Sequence, residues 1–194
     1  MRRYETVDIP GRGKLPVVYK AVPHTKALEL KKEFTPGPQP NESSAYVNTE
    51  QIFAAYRKTE AALFLVEWKE DWGELTEFQN APCLAISNQE HWCKMDQGGK
   101  IYTLPAHTFV PEQKVWPGHA VISYEPVKPI TRYTEEYSSG RLARMKYGIR
   151  VHFVDDKTIK KIKQLQHKKT LISRLLRKWQ IHHLLKKWPS ENED

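Results

Sequence analysis

The chain has 194 residues and a formal net charge of +8, with 39% hydrophobic and 28% charged residues. This composition is typical of a folded globular protein and excludes a disordered chain. No apolar run approaches the roughly 18 residues that a spanning helix requires, and the first residues lack the apolar core of a signal peptide. We therefore expect a cytoplasmic protein with no membrane partner.

Residues 1–138 predict a mixed α+β domain with an antiparallel sheet. Strands are expected at residues 15–22, 83–86, 100–104 and 120–124, and the Pro-rich residues 35–44 predict a loop. Asn48 with Gln51 three residues later has the spacing of a capping box, which predicts a short helix through Ile52, Phe53 and Tyr56. Residues 62–66 fit either a buried strand or a continuation of that helix.

Nothing in residues 1–138 has the spacing of a catalytic or metal site. No nucleophile is placed beside a base, and Cys83 and Cys93 have no second pair to complete a zinc site. The aromatic residues of this part are expected in the core rather than around a ligand. We therefore expect no enzymatic activity, no metal and no cofactor.

The segment after residue 138 is short and basic. Arg141, Arg144 and Lys146 follow a Ser-Ser-Gly sequence and precede a predicted strand. Two interpretations stay open: a flexible arm that lies along a phosphate backbone, or a short helix, continued by Leu142 and Met145, that packs on the N-terminal part.

Residues 148–153 alternate in polarity, and two helical stripes follow. Ile149, Val151 and Phe153 share one side of a predicted strand, and Gly148, Arg150 and His152 share the other. Helices are predicted at 156–166, where Asp155 or Asp156 can cap the start, and at 170–187, with Thr170 as a cap. The residues expected on the apolar faces of the helices are Ile159, Ile162, Leu165, Ile172, Leu175, Leu176 and Trp179.

A strand followed by two helices within about 40 residues resembles the ribbon-helix-helix family of DNA-binding regulators, to which the Met and Arc repressors belong. The resemblance covers residues 146–187. It implies that strands from two subunits pair as a ribbon in the major groove of duplex DNA. By position, Arg150, His152, Gly148 and Lys146 would face the bases. Lys168, Lys169 and Thr170, helped by Arg141 and Arg144, would hold phosphates.

The resemblance also implies a homodimer, because so short a module buries too little surface alone. Its shared core would include Ile149, Val151, Phe153, Ile159, Ile162, Ile172, Leu175, Leu176 and Trp179. The N-terminal domain could then contact RNA polymerase or another regulator.

The positive charge is concentrated in the same region. Residues 139–188 contain 15 Lys or Arg and 2 Asp, a balance of +13, whereas residues 1–138 carry −2 and the acidic tail 189–194 carries −3. Such a surface favours a polyanion.

The sequence therefore predicts a sequence-specific, dimeric transcriptional regulator, with plasmid or mobile-element transfer genes as one setting. One alternative is a factor that binds RNA or protein, without base readout, through a basic helical hairpin. Another is a helix that lies on a membrane surface.

Overall fold

The computed structural model describes residues 4–11, 13–26, 31–36, 51–69, 71–78, 81–113, 118–166 and 171–191, with the backbone alone for 171–175. These residues form a mixed α+β fold, as the sequence predicts. In chain order, its elements are β1 (Glu5–Ile9), β2 (Gly13–Pro23), β3 (Ile52–Ala55), α1 (Lys58–Ala62), β4 (Gly73–Phe78), β5 (Ala81–Ile86), α2 (Gln89–Met95), β6 (Gly99–Pro105), β7 (Val110–Pro111), β8 (Ala120–Ser123), β9 (Glu135–Tyr137), α3 (Gly140–Lys146), β10 (Arg150–Phe153), α4 (Asp156–Gln166) and α5 (Leu171–Leu185).

The larger sheet is antiparallel and has the strand order β7-β8-β3-β2-β6-β9, with β1 also paired to β2. Its central strand β2 is apolar on both faces because both faces are covered. Val18 and Val22 enter one core cluster, whereas Val17 and Tyr19 enter another. Tyr19 lies opposite Ala55 of β3 and opposite a residue of β6.

The smaller sheet places β10 between two neighbours. On one side it runs parallel to β5, which also pairs antiparallel with β4. On the other side the chain returns after α5: the Glu191 N–H donates to the Val151 carbonyl at 2.8 Å, and the Phe153 N–H donates to the Pro189 carbonyl at 3.3 Å. Both hydrogen-bonding edges of β10 are therefore occupied within this chain.

A shared apolar core joins the two sheets. It combines Val17 and Ile101 of the larger sheet with Leu84, Ile149 and Val151 around the smaller one, and α1 and α3 also contribute to it. This apolar core therefore crosses the domain boundary that was predicted at residue 138. The described buried apolar side chains of residues 139–188 belong to clusters that also contain side chains of residues 1–138.

The two C-terminal helices cover the opposite face of the smaller sheet. Ile162 of α4 and Ile181 and Leu185 of α5 pack against Phe78 and Cys83 of the sheet. An amphipathic helix is stabilised mainly by burying such a stripe. The hairpin of α4 and α5 is thus a layer of one folded unit.

Most predicted elements are confirmed in type. The helix predicted at 156–166 has those bounds, the predicted strands correspond to β2, β5, β6 and β8, and β10 lies within the predicted strand 148–153. The helix predicted at 170–187 corresponds to α5, with Thr170 outside the described residues. Of the loop predicted at 35–44, residues 37–44 also lie outside them.

The helix predicted through Ile52 and Tyr56 is wrong. Ile52–Ala55 forms β3, which pairs with β2 and β8. The tertiary pairing of a central strand overrides the weak local preference of so short a segment.

Candidate nucleic-acid interface

Helix α4 is anchored by an acidic start and a buried stripe. The Asp155 carboxylate accepts a hydrogen bond from the Thr158 N–H at 2.7 Å, and the hydrogen bonds from Thr158 lower the pKa of Asp155. An anion at this position stabilises the positive end of the helix dipole. Ile159, Ile162 and Leu165 are buried, so the rotation of the helix about its axis is fixed.

The opposite side of α4 is a row of lysines, which we call the α4 basic face. It consists of Lys157, Lys160 and Lys161, all of which are exposed. Lys163 is half-buried and lies 3.9 Å from the Glu74 carboxylate of β4. The α4 basic face therefore points away from the sheet that the helix covers.

Helix α5 is held against both α4 and the sheet. The Arg177 guanidinium donates to the Gln166 carbonyl at the end of α4, at 3.0 Å. The Lys178 ammonium lies 2.5 Å from the Glu77 carboxylate of β4. These contacts connect α5 to the end of α4 and to β4.

The apolar face predicted for α5 is wrong in its described part. Leu176 and Trp179, expected in a dimer core, are 55% and 64% exposed, whereas Ile181 and Leu185 are buried. The side chains of Ile172 and Leu175 lie outside the described residues. Helix α5 carries two apolar stripes, and the sheet packs against the one nearer the C-terminus.

The exposed stripe of α5 includes an aromatic pair. The Trp179 and His183 rings are stacked, with centroids 5.6 Å apart and planes 11° from parallel. Residues four apart in a helix lie on the same face, so the stacked pair lies on one face of α5.

The strand residues predicted to read bases are not placed to do so. His152 is 2% exposed, and its Nδ1 lies 3.2 Å from the Trp188 carbonyl oxygen. Arg150 is half-buried, with its guanidinium 5.2 Å from the centre of the Phe78 ring. Gly148 has a φ of +65° and ends α3, because its N–H donates to the Met145 carbonyl.

A twin-strand ribbon is therefore incompatible with this arrangement. Both edges of β10 are paired within the chain, and both of its faces are covered by core clusters. The buried residues Ile149, Val151, Ile159 and Ile162 serve the core of their own chain, and Phe153 is half-buried against it. The dimer core predicted from these residues is wrong.

The segment before β10 is helix α3, so the interpretation of residues 141–146 as a short helix is confirmed and that of a flexible arm is wrong. Arg144, predicted to touch phosphate, is 0% exposed and cannot reach a ligand outside. Arg141 is half-buried at the start of α3. Lys146, predicted to reach bases, is exposed, and its ammonium lies 2.9 Å from the Glu135 carboxylate.

Arg144 is the centre of a buried ion cluster. Its guanidinium donates to both carboxylate oxygens of Glu191, at 2.8 and 2.6 Å, and to Asp96 at 2.9 Å. It also lies 4.8 Å from the centre of the Trp92 ring. The carboxylate of Asp96 accepts the backbone N–H groups of Gly140 and Arg141 at the start of α3. The cluster connects the end of α2, α3 and the segment 189–191 that follows α5.

A second polar cluster surrounds Glu135 on β9. Its carboxylate accepts hydrogen bonds from Lys58 and Tyr137, from the Tyr147 hydroxyl at 2.6 Å and from the Lys146 ammonium at 2.9 Å. The four donors come from α1, β9 and the C-terminal end of α3. Glu135 therefore connects these elements at the margin of the core.

The pKa of Glu135 reflects its donors. Burial by itself raises the pKa, but the hydrogen bonds from Lys58, Tyr137, Tyr147 and Lys146 outweigh burial and lower the pKa to about 2. Burial and the bond to Glu135 raise the pKa of Tyr147, so its hydroxyl stays protonated and donates. The cluster is a charged carboxylate surrounded by donors.

Sequence reasoning missed both clusters, and the members of the Arg144 cluster are far apart in the chain. Asp96, Arg144 and Glu191 come from three separate segments, and no local spacing signals their contact. Lys168 and Lys169, predicted phosphate ligands, lie outside the described residues together with Thr170.

The chain matches no protein-family model, no curated protein sequence and no solved structure. None of the helices in the described ranges combines the length and apolar character needed to cross a membrane. Within those ranges, no group of three or more His, Cys, Asp or Glu side chains is arranged to hold a metal ion.

Proposed function

We propose that this protein binds nucleic acid through the phosphate backbone, without reading base sequence, and that the hairpin of α4 and α5 is the binding surface. The observation that carries the proposal is the α4 basic face, three exposed lysines on a helix whose other side is buried. Lysines in such a row interact with phosphates as point charges, which gives affinity but little base discrimination.

The charge distribution supports the same surface. The balance of +13 lies in residues 139–188, which include both helices, whereas the rest of the chain is slightly acidic. Several other basic side chains of this region are engaged within the fold, including Arg144 and Lys178. The exposed lysines of α4 are thus those best placed to meet a polyanion.

Backbone binding fits this geometry better than base readout. The predicted reading residue His152 is buried, and β10 has no free edge on which a ribbon could form. A rigid helix that presents lysines can contact phosphates without entering a groove. We therefore propose backbone binding in place of the sequence-specific regulator that the resemblance implies.

Replacing Lys157, Lys160 and Lys161 together by glutamine should reduce affinity for nucleic acid about tenfold or more near 150 mM salt. Each lysine that contacts phosphate contributes about 0.9 to the slope of log K against log salt, so the slope should fall by about 2 to 3. Fluorescence anisotropy with duplexes of unrelated sequence, measured over a range of salt concentrations, gives both quantities. Wild-type affinities for these duplexes should agree closely.

The matched control removes the same charge from residues 1–138, outside the basic region. Lys14, Lys32 and Lys128 are exposed, and their replacement by glutamine should leave the salt slope nearly unchanged. Equal losses in the two triple variants would show that only net charge matters and would contradict the proposed surface. A strong preference for one duplex sequence would contradict binding without base readout.

A further inference from the structure

The exposed stripe of α5 combines an aromatic platform with nearby positive charge. Trp179 is 64% exposed and stacks on His183, which is also exposed. Lys186 and Lys187 follow His183 by three and four residues and are exposed as well. The Lys186 N–H donates to the His182 carbonyl, so the chain keeps its helical course here. The rings and the ammonium groups therefore share one side of the helix.

We propose that Trp179 and His183 form a base-stacking platform that makes the protein prefer single-stranded over duplex nucleic acid. This inference rests on the proposed function and specifies its substrate class. A base exposes its π-face to a protein only when it is unpaired or at an end, and stacking on an aromatic side chain tolerates any base. Lys186 and Lys187, one to two turns along from the rings, would hold the phosphates that flank a stacked base.

A second copy of the chain fits this stripe less well. Leu176 and Trp179 are the large apolar side chains exposed along the described part of α5, and two side chains fall far short of the roughly 1,200 Å² that a stable interface buries. A twofold contact centred on Trp179 would also bring together two copies of the segment that carries most of the positive charge of the chain. A polyanion, in contrast, is attracted by this positive charge.

The test compares oligothymidylate of about 20 nucleotides, long enough for a site of about 4–16 nucleotides, with a duplex of the same length. The wild type should bind the single strand more tightly than the duplex. Trp179→Ala should weaken single-strand binding about 5- to 150-fold, the equivalent of one stacked base, and should leave duplex affinity unchanged. Trp179→Phe keeps a stacking ring and should recover most of the loss.

Leu176→Ala provides the matched control, because it removes an exposed apolar side chain from the same stripe without removing a ring. It should leave single-strand affinity near that of the wild type. Equal losses for Leu176→Ala and Trp179→Ala, an equal loss on duplex and single strand, or no effect of Trp179→Ala would each overturn the platform.

Failure of the platform and failure of the proposed function look different. If the α4 triple variant loses affinity for both nucleic acids while Trp179→Ala behaves as the wild type, backbone binding stands and the platform is wrong. If the wild type binds neither oligonucleotide at low salt, both proposals are wrong. Thermal unfolding of each variant checks that these surface substitutions leave the fold intact.

Discussion

Replacing Arg144 by methionine will lower the free energy of unfolding by about 3–5 kcal/mol, the cost of breaking a buried ion cluster by removing one partner. Methionine fills part of the volume but leaves the carboxylates of Asp96 and Glu191 buried beside each other without their cation. Urea-induced unfolding followed by circular dichroism measures the change. Because the Glu191 N–H donates to the Val151 carbonyl of β10, its hydrogen exchange should also accelerate.

Replacing an exposed arginine tests whether the loss of stability comes from breaking the buried cluster or from removing a positive charge alone. Arg132 is exposed, and its guanidinium lies 5.8 Å from the centre of the Tyr133 ring. Arg132→Met should therefore change the free energy of unfolding by no more than about 0.5 kcal/mol. Adding Glu191→Gln to Arg144→Met should recover part of the loss, because a neutral amide is less costly to bury than an unpaired carboxylate. Strictly additive effects of the two substitutions would refute the assigned coupling.

Local signals were sufficient to predict α4 but not the environment of β10. In α4, Asp155 caps the helix and Ile159, Ile162 and Leu165 repeat at helical spacing, so type and bounds follow from adjacent residues. In β10, alternation correctly separates Val151 from His152. It cannot tell whether the His152 face meets solvent or a second layer, and here Phe78 and the C-terminal helices cover it.

Trp179 shows the same limit within a helix. Apolar residues at 172, 175, 176 and 179 predict a buried face, but Ile181 and Leu185 form a second stripe with the same periodicity. Which stripe is buried depends on where α5 begins to contact β4, a tertiary fact that spacing does not contain. Spacing alone therefore assigned Trp179 to the core. The structure leaves Trp179 exposed, and the candidate site uses it.

The order of elements that resembles a ribbon-helix-helix module was predicted correctly, but the pairing partner of the strand was not. A strand and two helices do follow one another, but β10 pairs with β5, which precedes it by more than sixty residues. Non-local pairing of this kind leaves no short-range pattern. The concentration of positive charge, in contrast, can be read directly from the sequence and remains the basis of the proposed function.

The free energy of unfolding should fall in acid, in part because of Glu135. Its pKa is lowered to about 2 in the folded chain. A carboxylate whose pKa is lower in the folded state contributes stability above its unfolded pKa and loses that contribution as the pH falls through the folded value. The contribution of Glu135 should therefore be complete at neutral pH and decline between about pH 4.5 and pH 2.

Glu135→Gln keeps the size of the side chain but removes the charge that Lys58 and Lys146 face. We expect it to lower the free energy of unfolding at neutral pH by about 1–3 kcal/mol, the cost of weakening charged hydrogen bonds in a partly buried cluster. The difference from the wild type should shrink as the pH falls from about 4.5 toward 2, because the unfolded wild-type chain then binds a proton that the folded carboxylate, with a pKa of about 2, does not. Urea unfolding at a series of pH values gives the two profiles.

The neighbouring residue supplies the control for this comparison. The Glu136 side chain is 61% exposed and lies 3.0 Å from the Lys100 ammonium, and its pKa is lowered mainly by the hydrogen bond from Lys100. Lys100 is buried but the Glu136 carboxylate is largely exposed to solvent, which screens the pair in part, so Glu136→Gln should cost less than Glu135→Gln, about 1 kcal/mol. If Glu135→Gln followed the wild-type profile at every pH, the carboxylate of Glu135 would not hold α1 and α3 to β9, and the elements would depend on the apolar contacts of the core alone.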